Sequence, residues 1–297
     1  MKKVLITGAN GIVGNGLTSL LKNYKEYEIY PLSRQKLSIS NEDHVRIQLQ
    51  QYQPDIIVNL AAKTDVEACE YDFKRTMIVN SIGPLYLATH SPKGCKIIHI
   101  SSASVFGKRG TLIPENNCNN YDWRLNVYSL SKIFSEIFLD HHQDKFKRDN
   151  KTVHIIRTCG VFGGGPTADI KFIGKIFERL IKNEDIVITD DIRLMPIYVD
   201  DLSKFIKHII DTDKNSEVVN YWHATSENSV SRYELTIHIK ELLKSISNIN
   251  FVENKSNKKF VKRPTREYLC LEKTEQFWGW TFRTWEAMIN DYILNKF

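Results

Sequence analysis

The chain has 297 residues, 42% hydrophobic and 26% charged, a profile that fits one large α/β domain or a core domain with a smaller lobe and excludes a disordered chain. No run approaches the ~20 apolar residues of a membrane span. The net charge is +6, yet basic and acidic residues are interleaved throughout, so no basic block points to nucleic acid and a small anionic substrate fits as well.

The five cysteines (Cys69, Cys95, Cys118, Cys159 and Cys270) are odd in number and scattered, without paired metal spacing. That pattern fits a reducing, cytoplasmic setting and argues against disulfides or structural zinc. No other ligand cluster demands a metal.

Residues 1–16 read MKKVLITGANGIVGNG. Val4, Leu5 and Ile6 form a buried strand, Thr7 and Gly8 stop it, and Ile12, Val13 and Leu17 recur at helical spacing. Gly8, Gly11 and Gly14 mark a tight turn where bare backbone lets a pyrophosphate approach a helix N-terminus. Lys2 and Lys3 before an apolar run could suggest a secretory leader, but Thr7, Gly8 and Asn10 break it at once.

A second strand, Tyr27–Leu32, ends at Ser33 and Arg34. An acid near this point suits free ribose hydroxyls, whereas an arginine suits a ribose phosphate. Arg34 therefore favours NADP over NAD; the alternative is a solvent-facing arginine at a strand end. Residues 41–53 are expected to be helical until Pro54, followed by a strand over 55–60 and the small residues Ala61 and Ala62 before Lys63 and Thr64. Small residues there let a cofactor cross the sheet edge, and they also serve close strand–helix packing. A helix is expected over 77–88, within which Asn80 either braces a neighbouring backbone, orients a site water or is solvated.

The strand 96–100 (KIIHI) runs into Ser101, Ser102, Ala103 and Ser104. Hydroxyls past the carboxyl end of a central strand stand where chemistry is expected, although serines also form turns. Tyr128 and Lys132 then lie four apart at a helix start, hence on one face. An ammonium beside a phenol is expected to lower its reference pKa of about 10 and make it a usable acid or base.

A strand over 153–157 leads to the loop Gly163–Gly165 and Pro166. Further elements follow: a helix over 170–181, a strand over 186–189, a helix entered through PIYVDDL, a strand over 218–223 and a helix from Ser231, capped with Glu234. Arg193 and Arg263 are loop cations that could grip a diphosphate or simply face solvent. Phe277, Trp278, Trp280 and Trp285 read as core packing.

Taken in order, TGANGIVG, VNLAAKTDVEACE, IHISSASVFG, NVYSLSK, RTCGVFG, PIYVDDL and KRPTREYLCLEKTEQFWGW resemble the extended short-chain dehydrogenase/reductase superfamily over nearly the whole chain. Within it they look most like the dTDP-4-dehydrorhamnose reductases and related sugar-nucleotide reductases. The resemblance implies a Rossmann-type doubly wound parallel sheet with helices on both faces and a smaller C-terminal α/β lobe. Residues 1–160 would form the NADP-binding domain, with 193–215 returning to it, and 161–297 mainly the substrate lobe.

Carried over by position, Gly8, Asn10, Gly11, Ile12, Val13, Gly14, Ser33, Arg34, Leu60, Ala61, Ala62, Lys63 and Asn80 would contact the cofactor, NADP or alternatively NAD. Ser102, Tyr128 and Lys132 would be the catalytic set, with Tyr128 and Lys132 also reaching the cofactor. Ser102, Ala103, Ser104, Arg193 and Arg263 would face a nucleotide-sugar substrate. Ser102–Ser104 departs from the reductases' threonine-aspartate-tyrosine series and looks like the serine motif of 4-epimerases, and Ser38 stands where the reductases often show an acid. Ala103 and Ser104 also replace the acid pair that dehydratases need. The resemblance implies reduction of a nucleotide-linked 4-keto-6-deoxysugar; an epimerase holding NAD tightly, or a regulatory subunit that keeps the pocket, are the alternatives. The apolar face from Ile133 to Leu139 would permit pairing into a homodimer, and core packing explains it equally well.

Overall fold

The computed structural model describes residues 1–107, 112–115, 121–164, 172–188, 192–214, 217–251 and 261–296. Cys118, Gly165, Pro166, Ile170, Thr189 and Asn215, all invoked above, lie outside the described residues.

The first half alternates strand and helix. Strands β1 (Lys2–Thr7), β2 (Tyr27–Leu32), β3 (Ile56–Asn59), β4 (Lys96–Ser102) and β5 (Thr152–Thr158) are joined through helices. These are α1 (Ile12–Leu21), α2 (Glu42–Tyr52), α3 (Val66–Tyr71), α4 (Phe73–Met77), α5 (Gly83–His90), α6 (Val127–His141) and α7 (Gln143–Arg148). The second half adds α8 (Phe172–Ile181), β6 (Ile186–Ile188), β7 (Arg193–Leu194), α9 (Val199–Asp211) and β8 (Val219–Ala224). It ends with β9 (Val230–Ser231), α10 (Arg232–Leu243), β10 (Ile249–Phe251), α11 (Glu272–Trp278) and α12 (Trp285–Lys296).

Six strands form one parallel sheet in the order β2-β1-β3-β4-β5-β8. Its strands read as continuous apolar runs because helices cover both faces. Alternation divides each run between two cores. Val4, Ile6, Val58, Ile98 and Ile156 pack on one side with Leu17 of α1 and Val199, Leu202 and Phe205 of α9. Leu5, Ile57, Ile97 and Ile155 pack on the other with Val45 of α2, Leu87 of α5 and Leu139 of α6.

The sixth strand, β8, comes from the stretch expected to be mainly the second lobe, and pairs with β5 from Val153↔Val219 to Thr158↔Ala224. The parallel pair β10–β6 and the antiparallel pair β7–β9 lie outside this sheet. The capping box expected at Ser231 and Glu234 is present at the start of α10. Among the described residues no helix is long and apolar enough to cross a membrane.

The helix expected over 77–88 is present without a break, but its hydrogen-bond ladder changes within it. Ile78–Ile82 forms a π-helical turn, in which the Gly83 N–H returns to the Ile78 carbonyl, before α5 begins. Pro84 supplies the reason: it has no N–H to return to the Asn80 carbonyl, so the ladder slips by one residue.

Candidate active site

A cleft of about 730 Å3 opens along the carboxyl ends of β1 to β5, where strand order reverses and open α/β sheets bind ligands. Gly8, Gly11, Ile12, Val13 and Gly14 line its floor. Gly8 has φ +64°, and a Cβ there would sit 2.8 Å from the Ala61 nitrogen. At Gly14 a Cβ would come within 2.6 Å of the Ala9 Cα. The bare turn thus lets α1 start directly under the cleft, with first-turn N–H groups and the positive dipole end facing it. Asn10 is exposed and is not among the lining residues.

Past β2, Arg34 lines the cleft together with Leu37, Ser38, Ile39 and Ser40. Ser33 does not; its carbonyl instead closes the local turn by accepting from the Lys36 and Leu37 N–H groups at 3.0 and 2.9 Å. Past β3, Leu60, Ala61, Ala62 and Lys63 form the adjoining wall. The Lys63 ammonium is bound to Asp72 at 2.8 Å, so it holds the Asp72 carboxyl below its usual range.

Asn80 lies outside the lining set and is fully buried. Its Oδ1 accepts from the Lys63 N–H at 2.8 Å, and its Nδ2 donates to the Lys63 carbonyl at 2.9 Å and to Ser131 Oγ at 3.0 Å. Ser131 Oγ donates in turn to the Tyr128 carbonyl at 2.7 Å. Of the roles open to Asn80, the geometry shows the brace: it ties the β3 wall to the first turn of α6. The π-turn aims it there, and Ser81 too, whose hydroxyl donates to the Ser131 carbonyl at 2.8 Å.

Ser102, Tyr128 and Lys132 all line the cleft. The Asn126 side chain caps α6 by accepting from the Ser129 N–H at 2.7 Å, fixing where Tyr128 stands. The Ser102 hydroxyl neighbours the Tyr128 phenol on this wall and lies 2.9 Å from Ser104 Oγ. Ala103 and Ser104 are buried beneath the wall and do not line the cleft.

The expectation that the ammonium lowers the phenol pKa is corrected by the structure. Burial pushes the Tyr128 phenol up to about 12, with the neighbouring Ser102 hydroxyl opposing and the Glu267 carboxylate adding to the rise. Lys132 is 3% exposed and donates to the Ile100 carbonyl at 2.6 Å. Burial brings its ammonium down to about 8. The ammonium is thus bonded to backbone, and at neutral pH the phenol is protonated while the lysine is still mostly charged.

The two loop cations part company. Arg263 lines the cleft and binds Glu67 at 2.7 Å. Arg193 pairs with Glu234 at 2.8 Å and does not line it. Polar residues beyond the expected set also do, among them Arg75, Thr158, Cys159, Arg232 and Glu267. The Cys159 thiol donates to Glu267 Oε2 at 2.8 Å, and the Glu267 backbone is held by the Arg193 carbonyl at 3.2 Å. A lone glutamate in a loop carries no periodicity, so only this pairing reveals it.

Beneath the Ser102–Tyr128 pair lies a sealed ion pair. Arg157 donates to Glu136 at 2.7 and 3.1 Å and to the Glu115 carbonyl at 3.0 Å, with both charged side chains at zero exposure. Ser101 and Tyr121 complete the carboxylate's bonds. The pair joins β5 to α6 directly under the serine strand end.

Such a fold and cleft, with a glycine turn facing a serine–tyrosine pair, define the class of dinucleotide-binding α/β proteins equipped for acid–base chemistry. The chain belongs to the family described as RmlD substrate binding domain, which matches residues 1–296. It is 30% identical over 300 residues to the spore coat polysaccharide biosynthesis protein SpsK of Bacillus subtilis, covering 100% of this chain and 98% of that one. It is 29% identical over 303 residues to a dTDP-4-dehydrorhamnose reductase of Aggregatibacter actinomycetemcomitans, covering 98% of each. Among solved structures, a dTDP-4-dehydrorhamnose reductase from Bacillus anthracis in complex with NADP superposes with a TM-score of 0.87 at 27% identity, covering both chains fully.

Proposed function

We propose that this chain is an NADPH-dependent reductase of a nucleotide-linked 4-keto-6-deoxysugar, with Tyr128 as proton donor. The observation that carries the reading is that Ser102, Tyr128 and Lys132 line the same cleft as the glycine turn at Gly8, Gly11 and Gly14. The relatives named as dTDP-4-dehydrorhamnose reductases, one of them holding NADP, support the substrate class and the cofactor.

The residues fit the dinucleotide on their own terms. The turn is bare where a Cβ at Gly8 would collide with the Leu60–Ala61 backbone and one at Gly14 with the turn itself, and Arg34 supplies a cation past β2 for a ribose phosphate. When bound, NADPH supplies the hydride. Tyr128, protonated at neutral pH, gives its proton to the oxygen of the reduced carbonyl. Ser102 donates a hydrogen bond to the same oxygen as charge builds on it. Lys132, its ammonium held on the Ile100 carbonyl at 2.6 Å, lines the same wall and serves to hold the cofactor beside the phenol. The wall formed by Cys159, Arg232, Arg263 and Glu267 belongs to the substrate side, and the residues after 160 other than α9 and β8 mainly build that side.

The test is incubation with dTDP-, UDP- and GDP-linked 4-keto-6-deoxysugars while NADPH absorbance is followed, with Tyr128→Phe as control. Oxidation of NADPH by one of them, lost by about 10²–10⁴-fold in Tyr128→Phe with NADPH still bound, is the expected result. No oxidation by any of them, with NAD retained through purification, would favour an epimerase instead. Near-normal turnover in Tyr128→Phe would remove that residue from the role.

A further inference from the structure

A line of buried side chains runs beneath the cleft from the strand that carries the glycine turn to the helix that carries Tyr128. Thr7, Asn59, His99 and Ser135 stand on β1, β3, β4 and α6, and none is more than 1% exposed. The sheet register explains the first three. Thr7 pairs with Asn59, and Asn59 pairs with His99, so the three side chains share one face of adjacent strands.

Their bonds run in one direction. Thr7 Oγ1 accepts from the Ala61 N–H at 3.2 Å and donates to Asn59 Oδ1 at 2.7 Å. Asn59 Nδ2 lies 3.0 Å from His99 Nδ1, and His99 Nε2 lies 3.1 Å from Ser135 Oγ. Ser135 Oγ donates to the Lys132 carbonyl at 2.7 Å. Because Asn59 Oδ1 already accepts from Thr7, its amide must donate to His99 Nδ1. The imidazole then carries its one proton on Nε2 and gives it to Ser135, whose own proton is committed to Lys132. Burial, reinforced by the Lys132 charge, holds His99 well below the ordinary histidine range and keeps it in this neutral form.

The neighbouring residue of β4 completes the arrangement, since the Ile100 carbonyl accepts the Lys132 ammonium at 2.6 Å. Two consecutive residues of one strand therefore hold Lys132 at both ends. His99 acts on its carbonyl through Ser135, and Ile100 acts on its ammonium.

We propose that His99 is a positioning residue: through Ser135 it locks the Lys132 turn of α6 onto the sheet, in fixed register with the dinucleotide seat at Gly8 and Ala61. Its kinetic readout rests on the reductase reading; its structural readout does not. Three variants of the full chain test it. His99→Leu fills the space and breaks both bonds. His99→Gln can accept from Asn59 and donate to Ser135. Ser135→Ala removes the hydroxyl that joins His99 to the Lys132 carbonyl and leaves the Thr7–Asn59–His99 bonds in place.

Hydrogen–deuterium exchange over residues 127–136 is compared with that over α2, together with NADPH affinity by fluorescence and kcat. His99→Leu and Ser135→Ala are expected to speed exchange in α6 by about tenfold or more with α2 unchanged, as follows when buried hydrogen-bonding groups lose partners. Both are expected to lower kcat about 10- to 100-fold with NADPH affinity held within about threefold, since small misplacement of a reacting group carries that penalty. His99→Gln is expected to restore both. Exchange and kcat unchanged in His99→Leu, or His99→Gln no better than His99→Leu, would overturn the proposal. Should His99→Leu fail to fold, wild-type exchange in Ser135→Ala overturns it and accelerated exchange confined to α6 upholds it. If the wild-type protein oxidises NADPH with no ketosugar, the reductase reading falls, while the exchange comparison still decides the relay.

Discussion

Gly14→Ala isolates what the glycine turn contributes, apart from the chemistry of the cleft. The added Cβ would stand 2.6 Å from the Ala9 Cα and 2.7 Å from the Ala9 carbonyl carbon, well inside ordinary carbon contacts of about 3.5–4.0 Å. Helix α1 cannot simply back away. On its far side Gly16 lies against α9, where a Cβ would already be 2.8 Å from Val199 Cγ2, and Leu17 and Leu21 are fully buried. The strain must be borne by the turn. Overpacking of this kind costs about 1–3 kcal/mol, which at this chain length lowers Tm by roughly 2–6 °C. If the turn opens to relieve it, NADPH affinity falls by about 5- to 150-fold. Gly11→Ala is the control, because its Cβ meets only the Gly8 carbonyl oxygen at 3.3 Å and its φ of −79° is ordinary. Thermal denaturation and fluorescence titration with NADPH should separate the two, with Gly11→Ala holding its Tm. A Gly14→Ala protein with unchanged Tm and NADPH affinity, or equal Tm losses in both variants, would refute the reasoning.

Other outcomes follow from the same geometry. Arg34→Ala should weaken NADPH by about tenfold or more while leaving NADH nearly unaffected, since one charge-assisted contact to the extra phosphate is lost; equal losses for both cofactors in a titration would place Arg34 elsewhere. The pH dependence of NADPH oxidation should show kcat falling as pH rises through about 8, where Lys132 loses its proton. Because that folded value lies below the unfolded lysine value of about 10.4, the unfolded chain binds more protons between them, so Lys132's contribution to stability rises over the same window. Denaturant titrations of wild type and Lys132→Met across pH 7–10 check this, the variant losing the increment. Glu136→Ala strands the Arg157 guanidinium without its carboxylate in a fully buried site and should cost about 3–5 kcal/mol in urea unfolding; a loss under 1 kcal/mol would mean water or a rearranged side chain replaces the carboxylate.

Most of the central sheet was legible in the sequence for a physical reason. Ile56–Val58 and KIIHI are buried within the sheet and bounded by turns, so their hydrophobic runs are short and nearly continuous. The glycine turn and the Tyr128 helix were legible because backbone constraints and helical spacing are local. What was not legible depended on long-range partners. Short helices α3 and α4 went unread even though Asp65 and Asp72 cap them, accepting from the N–H groups of Ala68 and Arg75 at 2.9 and 3.3 Å. Arg193 and Arg263 look alike as loop cations; only the fold shows one facing Glu234 and the other reaching Glu67 at the cleft. Glu267 and Arg232 gain meaning only when the chain brings them to one wall.

The Tyr128–Lys132 pair shows the same division at the level of chemistry. A spacing of four places both side chains on one face, but it does not say where the ammonium ends. That is decided by the Ile100 carbonyl, a residue of another strand, and by burial, which moves the phenol and the ammonium in opposite directions. The sign matters for the direction of reaction. A phenol made acidic by its neighbour would be half spent as phenolate near neutral pH and would serve best as a base for oxidation. A phenol held at about 12 stays protonated until a stronger base forms beside it. The alkoxide produced by hydride addition to a carbonyl is such a base, so the buried tyrosine yields its proton when reduction creates the charge and keeps it otherwise.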